Sequence, residues 1–378
     1  MSISTSLTPS PVIDAMNDYY TRKRTNIHRG AYRLSAEVTE LYENTHTEIL
    51  KFLDAPSSHS MILTNNTTQA INMVAIGLDR DLLGKDIVVT SMEHHSNLLP
   101  WMKLARHLGV RLRRIPIEED LTIDTDRALE IMQGAGLLAV THVSNVSGYI
   151  TPVEKLVSMA KDMNMITLVD GAQAVGHIPV SISKINPDFY AFSGHKGIMG
   201  PTGTGGLIYN RYLEEHLSPI FPGGRSVESV NWDGYRFKAG YERYEGGTPN
   251  IGGAIGLLSA VEYVKRIGCD RIQRHERKLI QYLRDKMIDL QGIILYTPPK
   301  KNSTGILSFN ISGYSPHDVA IILDELDRIA VRSGFHCAQP FCLDLGMEEG
   351  CIRVSLHAYN NRDDIERFIN TLSEIVGR

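Results

Sequence analysis

The chain has 378 residues, of which 42% are hydrophobic and 22% are charged. These proportions are typical of a globular protein with a buried core, and they exclude a disordered or fibrous chain. Its 39 Lys and Arg residues are balanced by 43 Asp and Glu residues, so the net charge gives no reason to expect binding to nucleic acid or to a membrane surface. At roughly 150 residues per domain, the length predicts two or three domains.

The beginning of the chain has neither the cationic start nor the apolar run of a signal peptide, and we expect a cytoplasmic protein. The four cysteines are too few for a disulfide framework; they are Cys269, Cys337, Cys342 and Cys351. Their spacing matches no common structural zinc pattern, so we expect no metal site.

Up to about residue 250, short apolar runs alternate with segments of helical periodicity. The runs predict strands at 87–90, 137–141, 165–169 and 188–192. Helical spacing is found near the N-terminus (12–20), at 69–78 and at 152–163. Repeated strand–helix–strand units favour a mostly parallel sheet that is covered by helices on both faces.

The pattern changes after the Gly-Gly-Thr-Pro-Asn string at 246–250. A helix is predicted at 254–267, followed by a smaller α+β unit. Its predicted strands are 305–311 and 351–356, and its predicted helices are 316–327 and 362–376.

Polar residues follow each predicted strand of the first unit, where an open parallel sheet collects its ligands. They are Glu93 and His94, His142 and Asn145, Asp170 and Gln173, and the string Ser193-Gly194-His195-Lys196. Because the carboxyl ends of parallel strands share one edge of the sheet, these side chains are expected to converge.

Single residues at this edge allow two interpretations each. Asp170 is either a carboxylate that faces a cation or a plain helix cap, and Lys196 is either a Schiff-base lysine or a surface charge. Thr67 and Thr68 open a helix, which makes them either an anion site or an ordinary N-terminal cap. The Gly-rich string at 200–206 precedes a strand-like run and lacks the ending of a P-loop, so we reject a nucleotide-binding loop.

Cys337 lies in a loop that contains Gly334, Pro340, Arg332 and His336. Nearby cationic groups and an open loop favour an accessible thiolate, and we expect the reactive thiol here. A metal site formed by His336 with the cysteines is disfavoured by their spacing.

The combination of these elements is more specific than any one of them. Asp170, Gln173 three residues later and the Ser-Gly-His-Lys string ending at Lys196 resemble the pyridoxal phosphate enzymes of aminotransferase class V, and within them the type II (SUF-type) cysteine desulfurases. The matching strings are at 67–72, 93–97, 144–148, 170–174, 193–196, 247–250, 332–340 and 353–355. They span nearly the whole chain.

The resemblance implies the α/β architecture of pyridoxal-phosphate-dependent transferases of fold type I. A large cofactor-binding domain, with a mainly parallel sheet of the seven-stranded type, is expected at 21–252. A smaller α+β domain, formed by 1–20 and 253–378, is expected to carry the cysteine loop.

It also implies roles for individual residues. Lys196, Cys337 and His94 would be catalytic. The cofactor, pyridoxal 5'-phosphate, would be held by Thr67, Thr68, His94, Asn145, Asp170, Gln173, Ser193, His195, Lys196 and Thr248. The substrate carboxylate would be bound by Asn145 and Arg353, with Arg29 at the substrate entrance.

The implied reaction converts L-cysteine to L-alanine and leaves a persulfide on Cys337. Its sulfur would serve iron–sulfur cluster assembly or other thio-cofactors, through an acceptor or scaffold protein. A homodimer is expected because the family places the threonine corresponding to Thr248 at the neighbouring subunit's phosphate.

Other functions stay open at this point, because a fold and its cofactor do not fix the reaction. The alternatives are a selenocysteine lyase, a cysteine-sulfinate desulfinase, an epimerase and a non-catalytic scaffold in sulfur trafficking. Two departures from the family concern the expected substrate entrance: the N-terminal segment at 3–6 is reduced, and Tyr32 stands where relatives often have a histidine. A third departure, Phe335 in place of a common histidine in the cysteine loop, concerns the transfer rate or the choice of acceptor.

Overall fold

A computed structural model describes residues 5–28, 30 and 32–377. Its largest sheet has seven strands: β1 (His59–Thr64), β2 (Ile87–Thr90), β3 (Leu112–Ile115), β4 (Leu137–Thr141), β5 (Ile166–Asp170), β6 (Phe189–Ser193) and β7 (Gly205–Asn210). The strand order is β1-β7-β6-β5-β4-β2-β3, and all neighbours are parallel except that β7 is antiparallel to both β6 and β1. The mostly parallel sheet expected from the sequence is therefore confirmed.

Twelve α-helices are found in the described residues. They are α1 (Ser10–Asp18), α2 (Arg33–Phe52), α3 (Thr67–Gly77), α4 (His95–Leu108), α5 (Thr125–Met132), α6 (Val153–Asp162), α7 (Ile182–Ile185), α8 (Ile251–Ile267), α9 (Cys269–Ile288), α10 (Pro316–Asp327), α11 (Gln339–Asp344) and α12 (Arg362–Val376). None of these helices combines the length and the apolar character that crossing a lipid bilayer requires.

The large sheet is buried on both faces because its strands alternate between two cores. In β4, Leu138 and Val140 belong to one hydrophobic cluster, whereas Leu137 and Ala139 belong to the other. This is the period-two alternation of a strand that is covered on both sides. Polar atoms of the sheet can therefore meet a ligand only at its edges or strand ends.

A second sheet follows in the C-terminal part. Its strands are β10 (Ile293–Tyr296), β11 (Ile306–Ile311), β12 (Arg332–Gly334) and β13 (Cys351–Ser355), in the antiparallel order β10-β11-β13-β12. Helices α9, α10 and α12 cover it with a separate hydrophobic cluster. Helix α8 packs against α1 and α2. The domain boundary at residue 252 stays a prediction.

A two-stranded hairpin connects the two parts of the chain, formed by β8 (Val227–Asn231) and β9 (Gly234–Phe237). Its turn presents Trp232 fully exposed, with Val230 and Tyr235 exposed beside it. The other tryptophan, Trp101 in α4, is completely buried and donates its indole N–H to Asn97 Oδ1 at 2.9 Å.

Candidate active site

A cavity of about 270 Å³ opens at the carboxyl ends of β2, β4, β5 and β6, as expected for an open parallel sheet. Most residues predicted for the site line it together; they are Thr67, Thr68, His94, Asn145, Asp170, Gln173, Ser193, His195, Lys196 and Arg353. The convergence expected from the strand ends is thus observed for these residues, whereas His142 lines a different cavity.

The floor of the cavity holds an acid and a base from neighbouring strands. Asp170 ends β5 and is buried, and Lys196 follows β6 and is half-buried. Burial raises the pKa of Asp170, while the nearby Lys196 amine and the Ala172 N–H, which donates to Oδ1 at 2.9 Å, work against that shift. Burial lowers the pKa of Lys196, and Asp170 opposes it. The net effect is a pKa of Lys196 below that of an ordinary lysine.

One end of the cavity is suited to an anion. Helix α3 begins at Thr67, whose N–H and Oγ1 both meet the Ser193 hydroxyl, at 3.2 and 2.7 Å. Thr68 Oγ1 lies 2.7 Å from the Ser96 hydroxyl. The Nδ1 atom of His195 is buried and has no hydrogen-bond partner within the described part of the chain. A helix N-terminus with hydroxyls around it is a recurrent phosphate site.

His94 is the N-terminal cap of α4 and faces this cavity. Its Nδ1 accepts a hydrogen bond from the Ser96 N–H at 3.0 Å, so the proton of the neutral ring is on Nε2. Burial, followed by the neighbouring Lys196, lowers the pKa of His94 to about 3. The ring is therefore a neutral N–H donor at physiological pH.

Cys337 lies beside the cavity in a tightly held loop. The backbone is left-handed at both His336 (φ 50°) and Cys337 (φ 57°), which is uncommon for residues with side chains. Two residues that follow strands of the large sheet hold the carbonyls of this loop: the His95 N–H at the start of α4 donates to Cys337 O at 2.6 Å, and Asn145 Nδ2, after β4, donates to His336 O at 2.7 Å. Arg332 Nη2 donates to Cys337 Sγ at 3.5 Å.

Asn145 also contacts Arg353, which links the two sheets at the cavity. Arg353 Nη1 donates to the Asn145 carbonyl at 2.9 Å, and the arginine is buried in β13. Burial, followed by the nearby Arg332, lowers the pKa of Arg353 to about 10. Two cationic side chains in one cavity are suited to a carboxylate ligand.

Of the other predicted site residues, Cys337 lies beside the cavity but not in its lining, and two more need separate mention. Thr248 lines a different cavity, beside Asn250 and Phe221. Arg29 lies outside the described residues, so its role stays a prediction.

Sequence reasoning assigned no role to Glu93 and placed Arg332 only in the loop of Cys337. Arg332 lines the cavity itself. Glu93 is buried and accepts hydrogen bonds from the Thr90 hydroxyl (2.6 Å), the Thr141 N–H (3.0 Å) and Asn97 Nδ2 (2.7 Å). Burial raises the pKa of Glu93 to about 8, and these donors oppose the shift. The sequence signal for this buried carboxyl was its position three residues after the end of β2, among the polar residues that follow the strands.

The chain is similar to known proteins over almost its full length. The family model of aminotransferase class-V matches residues 1–368. A protein of Pyrococcus abyssi named "Probable cysteine desulfurase" is 44% identical over 375 residues, which cover 99% of this chain and 92% of the relative. A Haloferax volcanii protein named "Cysteine desulfurase" is 36% identical over 373 residues, 98% of this chain and 87% of the relative.

Solved structures show the same similarity. The apo structure of a cysteine desulfurase from Thermococcus onnurineus NA1 matches with a TM-score of 0.95 and 44% identity, over 99% of this chain and 93% of that one. The cysteine desulfurase CsdA from Escherichia coli, in an S-sulfonic acid form, matches with a TM-score of 0.91 and 31% identity over the same shares. With a family model matching almost its full length and relatives of this similarity, the chain belongs to the aminotransferase class V family of pyridoxal phosphate enzymes.

Proposed function

We propose that the protein is a pyridoxal-phosphate-dependent cysteine desulfurase, which converts L-cysteine to L-alanine and leaves the sulfur on Cys337. The observation that carries the proposal is the position of the Cys337 loop. A cysteine whose loop is anchored on His95 and Asn145 lies beside the cavity that contains Lys196. A lysine alone would suit many reactions of this family, whereas a thiol fixed next to it suits transfer of sulfur.

The side chains of the cavity fit pyridoxal 5'-phosphate. The N-terminus of α3 with the hydroxyls of Thr68 and Ser193 would hold the phosphate, and the buried Nδ1 of His195 would gain a partner there. Asp170 would pair with the pyridine nitrogen and Gln173 with the ring hydroxyl. Lys196 would bond the cofactor covalently, His94 would contact its ring face, and Asn145 would help to hold it.

When bound, the cofactor supplies an electron sink for negative charge at the substrate Cα. The remaining work falls to the chain. Lys196, as a neutral amine, would take the Cα proton, because burial lowers its pKa. Neutral His94 would present its Nε2 proton to the same region. Arg353 and Asn145 would bind the substrate carboxylate and so orient its sulfur.

Cys337 would then take the substrate sulfur. The thiolate attacks that sulfur, an S–S bond forms, the Cβ–S bond breaks and its electron pair stays with the carbon skeleton. Protonation at Cβ gives alanine, so one cysteine and one enzyme thiol become one alanine and one enzyme persulfide. The left-handed loop around Cys337 fixes the position of the attacking sulfur.

Alanine release from L-cysteine tests the proposal, with a reducing thiol present to remove the persulfide. The wild-type protein and a Cys269→Ala control are expected to form alanine at similar rates, because Cys269 begins α9 and is not among the residues that line the cavity of Lys196. Cys337→Ala is expected to lose nearly all activity while retaining the absorbance of the bound cofactor. Equal activity of Cys337→Ala and wild type would contradict the assignment of the acceptor thiol.

We also propose a homodimer whose sites are completed by Thr248 of the partner, since Thr248 lies in another cavity than Lys196 within one chain. The persulfide would pass to a sulfur-acceptor or iron–sulfur scaffold protein. We further propose a cytoplasmic location, without membrane association and without direct binding to nucleic acid.

A further inference from the structure

A series of buried hydrogen bonds connects a core tryptophan to the turn that follows β2. Trp101 Nε1 donates to Asn97 Oδ1 at 2.9 Å, and Asn97 Nδ2 donates to Glu93 Oε2 at 2.7 Å. Glu93 Oε1 accepts the Thr90 hydroxyl at 2.6 Å and the Thr141 N–H at 3.0 Å. All five residues are buried. Because Thr90 ends β2 and Thr141 ends β4, the series joins α4 to two strand ends of the large sheet.

The direction of these hydrogen bonds is set at the tryptophan. An indole N–H can only donate, so Asn97 must turn its oxygen towards Trp101 and its NH₂ group towards Glu93. Glu93 therefore has to present an acceptor at Oε2. The backbone N–H of Thr141 is also only a donor, and it requires a second acceptor at Oε1.

A carboxyl group meets both requirements, whereas a side-chain amide of the same size does not. In either orientation, a glutamine at this position would place its NH₂ group against a buried donor, either Asn97 Nδ2 or the Thr141 N–H. Burial raises the pKa of Glu93 to about 8, and the surrounding donors oppose that shift. The requirement holds for both forms of the carboxyl, because a neutral carboxyl can donate its one proton to the Thr90 hydroxyl and still accept from the other two groups.

The turn that Glu93 and Asn97 enclose contributes directly to the active site. The His94 carbonyl accepts the Asn97 N–H at 2.8 Å, and the His94 ring lines the active-site cavity. The next N–H, from His95, donates to Cys337 O at 2.6 Å. The same short turn thus carries one ring of the cavity and one anchor of the cysteine loop.

The carboxyl of Glu93 also holds a strand end of the cavity. Thr141, whose N–H it accepts, lines the cavity and lies opposite Asp170 in the parallel pair of β4 and β5. Glu93 itself is not among the residues that line the cavity, so it acts on the site through its neighbours.

We propose that Glu93 is a positioning residue, whose carboxyl fixes the turn at 93–97 so that His94 meets the cofactor and the Cys337 loop is held beside it. The inference rests on the roles proposed above for His94 and Cys337. Because reacting groups need placement to within about 0.5 Å, one mismatched hydrogen bond in this turn is expected to slow the reaction.

Glu93→Gln tests the inference, because it keeps the shape of the side chain and introduces one contact between two donors. We expect the apoprotein to bind pyridoxal 5'-phosphate at least about tenfold more weakly, and the loaded enzyme to form persulfide on Cys337 at least about tenfold more slowly. Absorbance titration measures the cofactor affinity, and mass spectrometry after a single turnover measures the persulfide. Glu119→Gln, at an exposed position after β3, is the matched control.

Two further variants separate the direction of the hydrogen bonds from other effects of the substitution. Asn97→Asp is expected to impair the protein as well, since two carboxyl groups then face each other. The double variant Glu93→Gln with Asn97→Asp pairs every donor with an acceptor again, because the new amide donates to the new carboxylate, which also accepts the Trp101 N–H. Its net charge equals that of the wild type. We expect its cofactor affinity and persulfide rate to return to within about threefold of wild type.

The indole N–H of Trp101 provides a readout that does not depend on activity. Nuclear magnetic resonance of protein with isotope-labelled tryptophan detects this group, and Trp232→Phe identifies the signal of the other tryptophan. We expect the Trp101 N–H to exchange slowly with solvent in the wild type and in the double variant, and at least about tenfold faster in Glu93→Gln.

The proposal is overturned if Glu93→Gln matches Glu119→Gln in cofactor affinity and persulfide rate, or if the double variant is no better than the two single variants. If Glu93→Gln fails to fold, comparison of Asn97→Asp with the double variant decides in the same way. A wild-type protein that binds the cofactor but forms no alanine from L-cysteine would contradict the proposed function instead. The cofactor affinities and the indole exchange would still test the positioning by Glu93.

Discussion

Arg332 and Arg353 lie directly opposite each other on the neighbouring antiparallel strands β12 and β13, and both line the cavity that contains Lys196. Arg353 is buried, whereas Arg332 is half-buried. Because both guanidinium groups face the same cavity, an anion bound there would be attracted to both, and a substrate carboxylate is such an anion.

Arg353→Lys is expected to weaken binding of cysteine, because an ammonium group cannot reproduce the bidentate geometry of a guanidinium. We expect a rise in KM of about tenfold or more, with a smaller change in kcat. Steady-state kinetics of alanine formation measure both. Arg271→Lys, at an exposed position of α9, serves as the control. An unchanged KM in Arg353→Lys would show that the carboxylate binds elsewhere.

The shared site predicts complementation between two inactive chains. Lys196→Ala and Thr248→Ala homodimers should each have low activity if Lys196 of one subunit works with Thr248 of its partner. After subunit exchange, a mixed dimer contains one site with both residues intact and one with neither. Random exchange would restore roughly a quarter of wild-type activity. If each Thr248 served its own chain, mixing would restore nothing.

The buried His142 predicts a loss of stability at acidic pH. Its Nδ1 meets the Tyr190 hydroxyl at 2.9 Å, and burial lowers its pKa to about 4, compared with about 6.5 in an unfolded chain. Between these values the unfolded state binds the proton and the folded state does not. Stability therefore falls as the pH drops below about 6.5, by up to ~1.4 kcal/mol per pH unit for this group.

Urea unfolding at pH 7 and pH 5 measures this effect. The free energy of unfolding of His142→Gln should fall less between pH 7 and pH 5 than that of the wild type, because the variant lacks one group that binds a proton in the unfolded state and not in the folded state. His107→Gln, at an exposed position of α4, should keep the wild-type difference. The assignment fails if His142→Gln and wild type show the same pH dependence.

Gly171, which follows Asp170, has no room for a side chain. A Cβ atom there would lie 2.2–2.3 Å from Cε1, Cζ and the hydroxyl of the Tyr190 ring. Gly171→Ala is therefore expected to cost about 1–3 kcal/mol of stability and to disturb the contact between Tyr190 and His142. Gly84→Ala is the control, since its Cβ meets nothing within 4 Å and its φ is −67°. Chemical denaturation of both variants should separate them clearly.

The sequence predicts much of the large sheet and its site because the signals there are local. The run at 137–141 coincides with β4, and the run at 165–169 differs from β5 by one residue. The polar residues after these strands converge because parallel strands end at the same edge. For this reason the sequence alone predicts that Asp170 and Lys196 lie at the same edge of the sheet.

Other features depend on contacts between distant segments and leave no local pattern. The hairpin β8–β9 was not predicted, since its exposed strands lack the apolar runs of a core strand. The pairing of Arg332 with Arg353 follows from sheet register, which separation along the chain does not reveal. The left-handed backbone at His336 and Cys337 is imposed by tertiary hydrogen bonds, against the local preference of both residues.

The placement of the two tryptophans gives the protein built-in optical reporters. Trp101 is sealed in the core and Trp232 stands in solvent at the tip of the hairpin, so their fluorescence differs in wavelength and in quenching by acrylamide. Association that covers the hairpin would shield Trp232 and leave Trp101 unchanged. Unfolding would do the reverse, so assembly and folding can be followed separately in one unlabelled sample.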